Sequence, residues 1–63
     1  MCLCTVYTDT NGQTKKILQD VTRVEAGKDG YMFVDLFGKE IFIRGRLMRM
    51  DFMDDNAIVI KTP

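Results

Sequence analysis

YMFVDLFGKEIFIR, Tyr31 to Arg44, is the stretch that decides the fold. Tyr31 to Phe37 is a strongly apolar run that reads as a strand, and it predicts the centre of a sheet. Gly38-Lys39 turns the chain. Glu40 to Arg44 returns as a second strand, with Ile41 and Ile43 alternating against Glu40, Phe42 and Arg44. That alternation has a period of two, so the two sets face opposite sides of a sheet.

The same grammar extends in both directions. Upstream, Gly27-Lys28-Asp29-Gly30 is the clearest turn in the chain. Before it lie a run from Val21 to Ala26, punctuation at Asp20, and a weaker strand from Gln13 to Leu18. Asp9-Thr10-Asn11-Gly12 predicts a hairpin, with Asn11-Gly12 as its signal, and a first strand spans Cys2 to Thr8. Downstream, Gly45 marks a bulge or bend. Leu47, Met48, Met50 and Phe52 continue with less regular spacing. Arg46 to Met53 is the best helical candidate, although an extended reading is equally open. Met53-Asp54-Asp55-Asn56 is a further turn, and Ala57 to Lys61 is a last strand. No segment keeps an apolar period of 3.6, so the expectation is all-β: a small antiparallel barrel or bent meander of five to six short strands.

The chain has 63 residues, one domain over 1–63. A core of this size supplies only about 3–5 kcal/mol, so a staple is expected. Two cysteines make no disulfide scaffold, and Cys2 and Cys4 are too close in sequence for a bridge between them to tie down a fold. A metal, a dimer or both is the expectation.

Composition narrows the function. The start MCLCTVY lacks the basic end and long apolar run of an export signal. No apolar stretch approaches the roughly 20 residues that span a membrane. The expected location is therefore cytoplasmic, where thiols stay reduced and serve metal or redox chemistry. Nine basic and nine acidic residues cancel, whereas nucleic-acid binders usually carry a basic excess. The chain contains no histidine, which removes the commonest general base and the commonest metal ligand together. There is no nucleophilic triad and no glycine-rich phosphate loop. Asp54-Asp55 and Lys39-Glu40 sit in turn-like contexts and read as solvated residues. The chain does not read as an enzyme.

Cys2-Leu3-Cys4 is the unusual constellation. On a strand the two thiols point the same way, with Cα atoms roughly 6.5–7 Å apart, and both reach one soft cation. The competing reading is two small apolar core residues. It applies less well to Cys2, because chain ends are usually exposed. The terminal amine adds a second donor beside the Cys2 thiolate. Nitrogen and sulfur sets favour square-planar Ni(II) or Cu(II), whereas four thiolates favour tetrahedral zinc. One chain offers too few side-chain ligands for a closed site; two chains offer four thiols and two amines. Met32, Met48, Met50 and Met53 read as core filling or a dimer seam. Arg44, Arg46 and Arg49, with Lys39 nearby, read as a solvated face balanced by Asp51, Asp54 and Asp55.

Met1-Cys2-Leu3, Val6-Tyr7, Gln19-Asp20-Val21 and Asp35-Leu36-Phe37-Gly38-Lys39-Glu40 resemble the CooT family, as do Gly45, Met50-Asp51-Phe52 and Ile58-Val59-Ile60. That family comprises small nickel-binding proteins associated with maturation of carbon monoxide dehydrogenase. The resemblance covers nearly the whole chain, and its specific element is the cysteine at position two. It implies a compact Sm-like or SH3-like β-barrel, a homodimer, and Ni(II) held by Cys2. Cys4 departs from the family pattern, where a small residue such as alanine is usual. It is either an extra metal ligand or an isosteric core substitute. The alternatives from other classes are an Sm-like RNA-binding or structural module, and a dimer with a structural zinc on four cysteines.

Overall fold

The structure is a computed structural model and describes residues 3–63. Six strands form one sheet: β1 (Cys4–Thr10), β2 (Gln13–Ala26), β3 (Gly30–Asp35), β4 (Glu40–Arg44), β5 (Arg46–Asp51) and β6 (Ala57–Lys61). The spatial order is β4-β3-β2-β1-β6-β5. All neighbours are antiparallel except β1 and β6, which run parallel. The all-β class is as expected, and Arg46–Asp51 is extended rather than helical.

The centre of the sheet is not where the most apolar stretch lies. β3 is next to the edge strand β4, and β1 and β2 occupy the middle. Apolar density misleads here because β3 owes its burial to the curl of the sheet. The two strands expected on either side of Asp20 are one continuous strand of 14 residues. Asp20 takes a left-handed conformation, φ 56°. The register slips beside it, since Cys4 pairs with Val21 but Val6 pairs with Leu18. An extra residue of this kind bends a strand and raises its twist. β2 therefore pairs with β1 along its first half and with β3 along its second.

The expected turns are present. Asn11 and Gly12 have φ 53° and 84°, the paired left-handed geometry that a two-residue hairpin needs. The Asp9 carboxylate accepts the Gly12 N–H at 3.0 Å.

The sheet is rolled. Six strands laid flat would hold their edges about 24 Å apart. Yet the edge strands β4 and β5 are consecutive and separated by Gly45 alone. Arg44 and Arg46 cannot stand more than about 7 Å apart, so the edges must meet at that corner. Gly45 has φ 148°, and a Cβ there would strike the carbonyl oxygen of Lys61. Its N–H donates to the Asp29 carbonyl at 3.1 Å, and the Tyr31 hydroxyl accepts the Leu47 N–H at 3.4 Å. The expected barrel is not completed, however: β4 and β5 remain the two ends of the strand order and the sheet does not close.

The roll buries one side. Cys4, Val6, Leu18, Val21, Phe33, Ile43, Ile58 and Ile60 form the core. They come from five strands, and β5 contributes none. Val6, Phe33 and Ile60 have no exposed surface. Truncating Phe33 to alanine should cost about 3–5 kcal/mol, which is as much as a core of this size supplies. Phe33→Ala is therefore expected to be largely unfolded at 25 °C by far-ultraviolet circular dichroism. A cooperative melt close to that of the parent protein would show that the interior is held elsewhere.

Candidate metal centre

Of the two thiols singled out from the sequence, Cys2 lies outside the described residues. Cys4 opens β1 and pairs laterally with Val21, while Thr5 beside it pairs with Ala57 of β6. Along β1 the side chains alternate. Cys4, Val6 and Thr8 are buried, and Thr5, Tyr7 and Asp9 are half-buried on the opposite side. The Cys4 thiol thus belongs to the core cluster and is 5% exposed.

Cys4 also lines the end of a cavity of about 250 Å³, together with Val21, Met50, Phe52 and Ile58. A second cavity of about 230 Å³ shares Val24, Met50 and Ile58 with the first and continues to Tyr31, Phe33 and Leu47. The two form one apolar trough where the rolled sheet fails to close, between the second half of β2 and the edge strand β5. Cys4 stands at one end and the Tyr31 ring at the other. Met50, read from the sequence as core or dimer seam, lines the trough and is 50% exposed.

The turn joining β5 to β6 lies beside the start of β1. The Asn56 carbonyl accepts the Thr5 N–H at 2.9 Å. Asn56 itself is left-handed, φ 47°, and its side-chain Oδ1 is buried with no hydrogen-bond partner among the described residues. A buried acceptor left unsatisfied costs about 1–3 kcal/mol. No residue pattern signals it, because Asn56 reads as one more turn residue. Asp51 organises the same turn, its Oδ1 accepting the N–H groups of Met53 and Asp54, each at 2.9 Å.

Those two N–H groups, Asp54 first and Met53 second, hold the Asp51 carboxyl below the ordinary carboxylate range, and Arg49 adds a smaller pull. Arg49 reaches Asp55 at 3.0 Å and Asp51 at 3.6 Å. Arg44 pairs instead with Asp29 at 3.2 Å, so the basic residues grouped in the sequence have different partners in space. Among the described residues no three of the Cys, Asp and Glu side chains converge on a point where a metal could sit. No described helix is long and apolar enough to cross a membrane.

Two comparisons bear on this arrangement. The family model described as CO dehydrogenase accessory protein CooT matches residues 1–61. No curated protein matches the chain.

The Asp51 turn has a pH signature. Because folding lowers its pKa, its contribution to stability is present above the unfolded value, about 4, and is lost as pH falls toward the folded value. Asp51→Asn should remove part of the acid limb of the stability curve below about pH 4 and leave its neutral plateau nearly level. The measurement is a series of thermal melts from neutral to acid pH. Identical acid limbs in the two proteins would show that Asp51 is not coupled to folding.

Proposed function

Because this chain belongs to the CooT family of CO dehydrogenase accessory proteins, we propose that it is a nickel-binding accessory protein for the maturation of that enzyme. It carries Ni(II) on Cys2 at a homodimer interface. The role is one of delivery in the cytoplasm, with nickel as cargo and no catalytic step.

The observation that carries the assembly is β5. None of its six residues is buried, although Leu47, Met48 and Met50 are apolar and 41–55% exposed. Phe52 and Met53, just beyond it, are 52% and 91% exposed. An edge strand with apolar side chains is a template for pairing with another chain. β5 also borders the trough that the sheet leaves open. A second copy laid on this edge would cover both, and two-fold symmetry is the commonest solution.

The donor chemistry supports the same assembly. One chain holds two cysteines and no histidine, so a closed set of four such side-chain donors needs two chains. A Cys2 thiolate and a terminal amine from each would give the nitrogen and sulfur set that suits square-planar Ni(II). Cys4 is a helper at most. It sits at the trough's end, close in sequence to Cys2, but its thiol is packed among core residues.

Ligation displaces protons from thiols whose free pKa is about 8.5. Nickel affinity should therefore fall below neutral pH, by about tenfold per pH unit for each proton released. Titration followed by absorption and native mass should give one nickel per dimer. Cys2→Ser should cost at least about 100-fold in affinity, more than the loss of an outer-shell partner, while the strand content stays unchanged. A tag fused directly ahead of Met1 should weaken binding with both cysteines intact. Cys4→Ala should alter the charge-transfer bands if Cys4 coordinates and spare them if it is core. Unchanged nickel affinity in Cys2→Ser would end this reading. A colourless tight zinc complex on four thiols, or a salt-dependent affinity for RNA, would replace it with a structural or nucleic-acid role.

A further inference from the structure

The turn between β3 and β4 presents two apolar side chains to solvent on an ordered support. Leu36 is 50% exposed and Phe37 is 86% exposed, more than Phe42 at 51% or Phe52 at 52%. The Asp35 carboxylate accepts the N–H groups of Phe37 at 2.9 Å and Lys39 at 2.8 Å. The Asp35 carbonyl accepts the Gly38 N–H at 3.1 Å, and the Asp35 N–H donates to the Lys39 carbonyl at 3.0 Å. The Leu36 N–H is tied across to the Asp20 carbonyl at 2.8 Å. Gly38, at φ 86°, completes the turn.

We propose that Leu36 and Phe37 form a preorganised anchor that docks this protein on its client enzyme, inserting into an apolar pocket rimmed by basic side chains. The proposal rests on the accessory role described above. A rigid turn pays little ordering entropy on binding, and a lone exposed aromatic on such a support has the character of an interface hot spot. The charges around it select the partner. Asp35 and Glu40 flank the tip in the sequence, Asp20 is tied to it through its carbonyl, and Lys39 is the cation of the turn itself. This balance repels an anionic membrane and attracts a basic rim. The tip also lies at the end of β4 opposite Gly45, away from the corner where the two edges meet.

Size sets the kind of complex. A phenylalanine buries about 150–250 Å², well short of the roughly 800 Å² per partner of a stable interface. The contact is an anchor for a transient encounter, which suits a protein that must leave after delivery.

The test uses the full chain and immobilised apo carbon monoxide dehydrogenase from the same cells. Phe37→Ser should weaken binding about 30-fold, the scale of a hot-spot truncation. Its melting behaviour, dimer mass and nickel uptake should be unchanged. Phe37→Leu should keep most of the affinity. Glu40→Lys should weaken it several-fold, and raising salt should do the same for the parent protein. Cys2→Ser should bind the enzyme like the parent protein while failing to hold nickel, which separates docking from the metal. The proposal is overturned if the parent protein does not bind the enzyme, or if Phe37→Ser binds it equally well. It is also overturned if Phe37→Ser dissociates the dimer, or abolishes binding to anionic vesicles instead.

Discussion

One residue, Gly45, is all that separates the two edges of a six-stranded sheet. Everything else in the molecule accommodates that constraint. A flat sheet cannot bring its edges together, so this one rolls, and rolling creates an interior that a chain of 63 residues could not otherwise enclose. The conformation of Gly45 and the carbonyl of Lys61, where a Cβ would fall, leave no room for a side chain at the corner. The kink in β2 at Asp20 serves the same end, because it lets one strand pair with β1 and then with β3. The roll is tight at the Gly45 corner and incomplete elsewhere, and the incompleteness leaves the trough that runs from Tyr31 to Cys4.

Much of this was legible in the sequence, because its signals are local. Asn11-Gly12 and the glycine turn from Gly27 to Gly30 are specified by backbone conformations that few residues adopt. Ile41 and Ile43 alternate with polar neighbours as a half-buried strand must. What could not be read is what depends on the roll. Strand order is a long-range property, so the apolar run from Tyr31 looked central although β3 lies beside an edge. Its last two apolar residues, Leu36 and Phe37, belong to the turn and not to the strand. Asp20 looked like a break because a polar residue with positive φ usually ends a strand; here a bulge carries the strand through it.

The candidate site divides in the same way. Strand alternation is a local pattern, and it places the Cys4 thiol on the same side as Val6, as found. Its surroundings were beyond local reading. Met50 lines one cavity with Cys4 only because β5 returns beside β6 and the sheet curls. Asn56 reaches the start of β1 only because β6 runs parallel to β1, an arrangement that sequence alternation does not encode. The uncovered β5 borders the region that the proposed dimer would share.

Incompleteness of that kind has a thermodynamic consequence for a carrier. If two chains are needed to complete the nickel donors, then dimerisation tightens nickel binding, and nickel must tighten the dimer by the same factor. A small core with little stability of its own makes this coupling strong, since ligand bound only to the assembled form adds directly to its stability. Loading would then consolidate the carrier, and surrender of the metal would loosen it. A closed barrel with a buried four-ligand cage would hold nickel more securely and release it poorly. On the proposed function, an open-edged sheet with its ligands at a chain terminus would sacrifice retention for access, and access is what transfer to another protein requires.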